Sequence, residues 1–490
     1  MYSIFKQSSN VKILLDSIHQ NDKNIEEIYI TNEKYNNIYN DIKKIVNIDN
    51  NNVGKIKNLL EENIKTSTEH MEDHAEISSP FSLLDIICKK CEECFQGELK
   101  FLDYACGKGN IIISVFINYY NRLSQTHDPE ECCKLIIETY LYYSDINPLN
   151  VFVTTCCLHE LCRFYCGKEI HFNYNFTVCD SFDLDLKKTW GIEEIDCTFV
   201  NPPFHDKTKN KTQHKLWVKF TQKTFSDWLK DDGILIQISP SSFGSPSNKV
   251  LSLFQKYYVK YLYLDQEEFF PNIGSSFSWY MIEKKENDLD TIINNSMTIK
   301  LDNSILWMPG DLSLISLSIH KKVMFDTTDK LDVKYDYVTC HNNILKKSID
   351  NNTFSSISKT KTDIHIYPLF HTNAQIWYSS IKQEFSDKKK VIWTRSGYSK
   401  PFYDDGKYGI TDLSYYVLVN SDTEGNNLNN ILNQRLFKYI LKSAKWSGFG
   451  TDKVFYALPK LENKKYTDTE LYTHFDLTEE EIDYINNYKV

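Results

Sequence analysis

The sequence predicts an α/β fold, a doubly wound and mostly parallel sheet followed by a mixed α/β domain, and three observations carry that prediction. From about residue 70 to 290, short apolar runs that read as strands alternate with longer runs at helical spacing. Within this region KFLDYACGKGN joins a short apolar strand to an apolar helix, IIISVFINYY, through a turn of small residues containing Gly107 and Gly109. After GILIQIS the alternation gives way to two strands, VKYLYLD and SSFSWYMIEKK, with no clear helix between them. One antiparallel strand near an edge of the sheet follows from that order.

The remaining segments read in order along the chain. Residues 1–66 carry helical spacing (IKNLLEENI) amid Asn- and Lys-rich stretches, a helical lead-in. Residues 67–290 form the alternating domain, and DLDTIINNSMTIKLDNS reads as a linker after it. Residues 300–465 lose the alternation and are rich in Tyr, Trp, Ser and Asn. The stretch 466–490, ending LTEEEIDYINNYKV, reads as an acidic tail with a solvated helix. At 490 residues the chain is too long for one compact core, so two or three domains are expected.

Composition narrows the class. A hydrophobic content of 41% with 25% charged residues is that of a globular protein. No apolar run is long enough to span a bilayer, and the start MYSIFKQSSNVKILLDS is interrupted by polar residues, unlike a signal peptide. An intracellular, non-membrane protein is expected: cytoplasmic, or nuclear or in a viral factory in a eukaryotic setting. The 13 cysteines fall mostly in the alternating domain, inside strands and helices, which does not suit a secreted disulfide framework. CKKCEEC (Cys88, Cys91, Cys94) has the spacing that begins an iron–sulfur site, but no fourth ligand with a following proline, and no metal is expected. Cys162 and Cys166, with His159 nearby, read as thiols of a core helix.

The chemistry concentrates in short motifs. A strand, a Gly turn and a helix in that order bring a nucleoside-bearing cofactor close to the backbone. GxxxxGK[ST] is absent, and Lys108 sits between the two glycines, so the loop is not a phosphate-binding P-loop. Two acids close the next strand-like runs: Asp145, where a ribose diol would be gripped, and Asp180, where a carboxylate accepts from an adenine amino group. Either acid also suits a helix N-cap. Past the run Cys197 to Val200 comes NPPF, Asn201 to Phe204. An amine conjugated to an aromatic ring is a poor nucleophile because its lone pair is delocalised. Two acceptors aimed at its hydrogens, the Asn201 side-chain oxygen and the Pro202 carbonyl, would free that lone pair for attack on a methyl sulfonium. Pro202 and Pro203 stiffen the backbone, and Phe204 can stack on a planar substrate.

In this order the motifs resemble those of the N6-adenine DNA methyltransferases, in the subgroup of type I and type IIG modification enzymes. The match covers roughly Ala75 to Lys285. It implies a Rossmann-like domain that uses S-adenosyl-L-methionine, followed by a target-recognition domain over 300–465. AEISSPF resembles the motif in which Ser79 and Pro80 help hold the methionine end of the cofactor. DYACGKGN resembles the DPACGSGN loop, implying cofactor contacts from Asp103, Ala105, Gly107, Gly109 and Asn110, with departures at Tyr104 and Lys108. SDIN supplies Asp145 and Ile146, CDSF supplies Asp180 and Ser181, and NPPF is the catalytic motif. FFPNIGSSFSWYMIEKK resembles the last strand pair, where Phe277, with Trp279 behind it, provides the second face of a base sandwich; ordinary strand packing is the alternative for both.

The activity implied is methylation of the N6 of an adenine flipped from double-stranded DNA. A cognate restriction endonuclease is left open as a partner, and N4-cytosine is not excluded by the motif. A net charge of −10 makes local basic segments the expected phosphate contacts. They are HDKTKNKTQHK (Lys207, Lys209, Lys211, Lys215), DKKKVIWTRSGYSK (Lys388 to Lys390, Arg395, Lys400) and LKSAKWSGFGTDK (Lys442, Lys445, Lys453), with Lys407 in the same domain. Each also reads as solvated surface. Other readings of NPPF stay open: with His205 and Asp206 it also resembles guanine-N2 ribosomal RNA methyltransferases, a protein glutamine amide obeys the same logic, and a silent nucleic-acid-binding relative would keep the fold without the activity.

Overall fold

The computed structural model describes residues 40–44, 52–63, 77–168, 170, 172–204, 216–245, 248–264, 266–270, 276–311, 313–336, 339, 341, 356–372, 375–395, 400–444 and 452–489. The chain divides into two compact units, Met1–Ser241 with Ser252–Leu301, and Ser242–Leu251 with Asp302–Val490.

After a short helix at Asn52–Asn58, the first unit continues with α1 (Phe81–Lys90), which buries Phe81, Leu83, Leu84, Ile87 and Cys88. There follow β1 (Phe101–Asp103), α2 (Asn110–Leu123), α3 (Pro129–Leu135), β2 (Leu141–Asp145), α4 (Pro148–Cys166) and β3 (Asn175–Val178). Then come α5 (Leu186–Trp190), β4 (Ile195–Val200), α6 (Leu216–Lys223), β5 (Leu229–Pro240), β6 (Tyr257–Tyr263), β7 (Phe277–Glu286), β8 (Thr291–Ile293) and β9 (Met297–Ile299). The strands form one sheet in the order β3-β2-β1-β4-β5-β7-β6-β8-β9. β1 to β5 run parallel. The two strands expected without a helix between them are β6 and β7, and β7 is antiparallel to both its neighbours. Central strands read as unbroken apolar runs because they are covered on both faces: β2 is buried throughout and β4 nearly so.

The sheet order reverses between β1 and β4, since β2 and β3 lie to one side of β1 and β4 and β5 to the other. Chains leaving the carboxyl ends of β1 and β4 therefore diverge, and the crevice between them is where open α/β sheets take ligands.

The segment expected as a linker is instead the edge hairpin of this sheet. β8 pairs parallel to β6, and β9 folds back on β8. Asn294 and Asn295 both take left-handed backbone, φ 48° and 58°, and Ser296 N–H closes on Ile293 C=O at 3.0 Å. Two consecutive left-handed residues make a type I′ turn, which asparagine tolerates better than other non-glycine residues. The sheet thus runs to Ile299.

In the second unit, β10 (Lys334–Tyr335), β14 (Lys390–Thr394), β15 (Phe402–Asp404) and β17 (Ser414–Leu418) form a sheet in the order β10-β17-β14-β15. β11 (Ile357–Ser358), β12 (Tyr367–Phe370), β13 (Ile376–Ser379) and β16 (Gly409–Ile410) form another, β11-β13-β12-β16. Helices α7 (Leu314–His320), α8 (Asp422–Leu432), α9 (Arg435–Ser443), α10 (Asp468–His474) and α11 (Glu479–Asn487), with a short helix at Asp452–Tyr456, pack with the first of these sheets. Val391, Trp393, Tyr415, Leu436, Phe437, Ile440, Leu471 and Ile485 share one core. The acidic end is therefore not a solvated tail. Thr467 and Thr478 each start a helix with a capping box, closed by Glu470 and Glu481. Glu481 also accepts from Ser318 at 2.7 Å and Lys322 at 2.8 Å.

His320 sits fully buried in this unit. Trp307 Nε1 donates to its Nδ1 at 3.0 Å, so its proton lies on Nε2, against Ser443 Oγ at 2.8 Å. Burial pushes its pKa down to about 3. The unfolded ring titrates near pH ~6.5, so its contribution to stability is complete above that pH and is lost as pH falls through about 3. The melting temperature should drop below pH ~6.5, and the drop should be shallower in His320→Gln when melts are followed across the pH series. An equal slope in both proteins would exclude His320 as a cause.

Candidate active site

Four separated motifs meet at the carboxyl ends of β1, β2 and β4. The loop after β1 uses two left-handed glycines, Gly107 at φ 51° and Gly109 at φ 92°. At Gly109 a Cβ would stand 2.7 Å from Thr154 Oγ1 on α4, so no side chain fits. Gly107 N–H donates to Asp145 Oδ2 at 2.9 Å. Asp145 Oδ1 accepts from Asn147 N–H at 2.8 Å and Asn150 Nδ2 at 3.2 Å, so the acid at the end of β2 orders both its own turn and the β1 loop. Ile146 beside it is 59% exposed, an apolar side chain left uncovered at the strand end.

Asp103 is buried, with Oδ1 accepting from Ala105 N–H at 3.1 Å and Oδ2 without a partner among the described residues. Burial pushes its carboxyl well above the ordinary carboxylate range, and Asp145 adds in the same direction. Asn110 begins α2. Its Nδ2 donates to Ser79 C=O at 2.9 Å and Ser78 Oγ at 3.2 Å, while its buried Oδ1 has no partner among the described residues. Pro80 leads into α1 with an extended backbone, and its carbonyl accepts from Leu83 and Leu84 at 3.1 Å each. Asp180 caps its own turn by accepting Phe182 N–H at 3.0 Å. Ser181 donates to the Tyr104 carbonyl and so braces the β1 loop from β3.

The tyrosine that departs from the resemblance has a structural reason. Tyr104 is fully buried, with its ring 5.2 Å from Phe220 and 4.8 Å from Trp228.

Asn201 follows β4. Its Nδ2 donates to Ile77 C=O at 2.9 Å and Ser79 Oγ at 3.0 Å. A backbone carbonyl only accepts, so the atom facing Ile77 is the NH2 group and the orientation of the amide is fixed. The Oδ1 is buried and has no partner among the described residues. Nor does any described residue donate to the Pro202 carbonyl. Phe204 C=O accepts from Leu216 N–H at 3.1 Å, which joins the two ends of the segment 205–215.

The aromatic sandwich expected from Phe204 and Phe277 is not formed. Their ring centroids lie 5.5 Å apart at 52°. A planar base between two rings needs about 7 Å, two contacts of about 3.5 Å. Phe277 is fully buried and stacks on Phe270 at 4.1 Å, so it backs Phe204 rather than facing it across a gap. Trp279 is likewise buried, stacked on Tyr263 at 4.3 Å.

The basic residues behave unevenly. Lys390 is not free for phosphate: it is fully buried, 2.6 Å from Asp404 and directly across the sheet from it. Lys389 pairs with Asp422 at 2.6 Å and Lys407 with Asp405 at 3.5 Å. Arg395 is half-buried at the end of β14, and Lys388, Lys400, Lys442 and Lys453 are exposed. Lys207, Lys209, Lys211, Lys215 and Lys445 lie outside the described residues.

Two contacts have no local signature in the sequence. Thr154, on α4, donates to Gly107 C=O at 3.3 Å and to Asn150 C=O at 2.9 Å. The other is the bond from Asn201 to Ser79, 122 positions earlier. Among the described residues no group of three metal-binding side chains occurs, and no helix is long and apolar enough to cross a membrane.

No protein-family model and no curated protein matches the chain. Among solved structures it is similar to DrdV in complex with DNA (TM-score 0.49, 11% identity, 85% of this chain and 59% of that one). It is also similar to the type ISP restriction-modification enzyme LlaBIII bound to DNA (TM-score 0.48, 12% identity, 87% and 40%). A modification subunit of a type I restriction enzyme from Vibrio vulnificus YJ016 matches at TM-score 0.35 and 12% identity, over 49% of this chain and 50% of that one. The chain thus spans about half the length of that subunit. These likenesses are too weak to carry an activity across.

Proposed function

We propose that this protein is an amino-methyltransferase that uses S-adenosyl-L-methionine to methylate the N6 of adenine in double-stranded DNA, with the base turned out of the duplex. The Asn201 amide carries the reading. Both of its hydrogens are tied down and its buried oxygen has no partner among the described residues, which is costly unless a substrate donor completes it. A donor there with two hydrogens and a lone pair to release is an exocyclic amine. Asn201 Oδ1 would take one hydrogen and the Pro202 carbonyl the other, drawing the nitrogen out of conjugation. Phe204 is assigned to the face of the base, with Phe277 behind it.

The cofactor supplies an electrophilic methyl group on a sulfonium. The loop fits its charged end, because Asp103 Oδ2 and Asn110 Oδ1 are unpartnered among the described residues and an ammonium beside them would draw the buried Asp103 carboxyl to its charged, accepting form. Asp145 would accept from the ribose, Ile146 would cover the adenine ring, and Asp180 would accept from its amino group. The backbone at Ala105, Gly107 and Gly109 gives close approach, Ser181 braces the loop and the backbone of Ser79 and Pro80 closes its far side. The second unit is assigned to target recognition, with Arg395, Lys400 and, beyond the described residues, Lys445 reaching phosphates or base edges; Lys207 of the first unit, also beyond the described residues, is assigned to the same strand contacts. A restriction endonuclease would be the partner in a modification system.

Asp145→Ala should weaken cofactor binding by at least about tenfold, since it removes charged acceptors worth about 1.5–3 kcal/mol each. Calorimetric titration with S-adenosyl-L-methionine checks this, and an unchanged Kd would count against the assignment.

Incubation with labelled S-adenosyl-L-methionine and, separately, unmethylated duplex DNA, ribosomal RNA and total protein, followed by mass spectrometry of the digests, tests the activity. N6-methyladenine in DNA alone is expected. N2-methylguanine in RNA, or label on protein glutamine, would replace the substrate, and no label anywhere would sink the enzyme.

A further inference from the structure

We infer that Ser79 is a positioning residue for methyl transfer: its hydroxyl holds the Asn201 amide with the oxygen turned toward the acceptor amine. The inference rests on the activity proposed above and gives Ser79 a role other than holding the cofactor.

A primary amide keeps almost the same shape when its oxygen and nitrogen exchange places, so packing alone does not choose between the two orientations. Hydrogen bonds do. The flipped amide would present NH2 to an incoming NH2, a contact between two donors that lacks the acceptor the reaction needs. One orientation is favoured by Ile77 C=O, 2.9 Å from Nδ2. A single acceptor still lets the amide plane swing about that bond. Ser79 Oγ, 3.0 Å from the same nitrogen, takes the second hydrogen and fixes the plane.

Ser79 is itself immobilised. It is 5% exposed, Asn110 Nδ2 holds its carbonyl at 2.9 Å, and the next residue leads directly into α1. Asn110 belongs to the loop assigned to the cofactor, so the segment Ile77–Ser79 ties the amide at the end of β4 to that loop. A group held this way is pre-organised, and its oxygen needs no rearrangement when the amine arrives.

The test uses the full chain with duplex DNA and saturating S-adenosyl-L-methionine. In Ser79→Ala, kcat per molecule able to bind cofactor should fall by about 100-fold, the scale of a misplaced reacting group. Cofactor Kd and KM should stay at the wild-type values. Ser79→Thr, which keeps the hydroxyl, should restore most of the rate, and Ser79→Ala should add nothing to Asn201→Ala because the two act as one unit. A loss confined to cofactor Kd would return Ser79 to cofactor binding, and an unchanged kcat would overturn the inference.

Absence of transfer by the wild-type protein to DNA, RNA or protein would instead remove the proposed activity. The amide lock is then judged on protein labelled with 15N-asparagine. Slow hydrogen exchange at the Asn201 side chain, lost in Ser79→Ala and kept in Ser79→Thr, supports the lock. Fast exchange in the wild type, or the same exchange in all three, overturns it.

Discussion

Asn201→Ala should lower the single-turnover rate of methyl transfer by about 10²–10³-fold, the usual effect of deleting one pre-organised polar group at a reacting atom. Cofactor affinity should barely change, because among the described residues the Asn201 side chain bonds only to Ile77 and Ser79. Asn201→Asp sharpens the test. It keeps an oxygen where the amine would donate, yet it loses both hydrogens and sets a carboxylate against the Ile77 carbonyl, while the Ser79 hydroxyl can only turn to donate to it. If pre-organisation of the amide matters, Asp should be about as slow as Ala. Rapid-quench assays with duplex DNA, alongside calorimetric cofactor titration, separate the cases. Equal losses of binding and transfer would remove Asn201 from the reacting centre.

Gly109→Ala should destabilise the first unit and weaken cofactor binding together. The backbone there has φ 92°, and the new Cβ would lie 2.7 Å from Thr154 Oγ1 and 2.8 Å from its Cγ2. Left-handed strain costs about 1–3 kcal/mol, and forced overpacking adds about 1–3 kcal/mol. Thr154 cannot readily move away, since its hydroxyl is bonded to the Asn150 and Gly107 carbonyls. Denaturant melts of Gly109→Ala and of Gly109→Ala with Thr154→Ala divide the two causes. The double variant should regain the packing part and keep the backbone strain. A wild-type melt for Gly109→Ala would show that the loop adapts freely, against the geometry described here.

Local signals in the sequence were sufficient for the alternation, the glycine turn, the order of the motifs and the β6–β7 pair, because each rests on neighbouring residues. The tertiary bonds were not legible in the same way. Nothing near Asn201 indicates that its amide is held from Ser79, and nothing near Phe277 shows that Phe270 and Phe204 will cover its ring. The buried pair of Lys390 and Asp404 is opaque for the same reason, since a run of lysines looks solvated until its cross-strand partner is known. Other differences had a signature that can be read. The Asn294–Asn295 pair between two β-branched runs is a hairpin turn signal. Thr467 and Thr478, each followed three residues later by Glu, announce capped helices where a solvated tail was expected.

The placement of β1 beside β4 also bears on how the protein comes to be folded at all. Lys100 and Asp196, which bond across these neighbouring strands, are 96 positions apart. At synthesis rates of about 5–20 residues per second, one side of β1 waits roughly 5–20 s for its partner to leave the ribosome. During that interval an apolar strand keeps an unpaired edge, and parallel pairing over such separations is slow even in the finished chain. Slower production at low temperature, or additional chaperone, should therefore raise the soluble yield more than any change of buffer after the chain is complete.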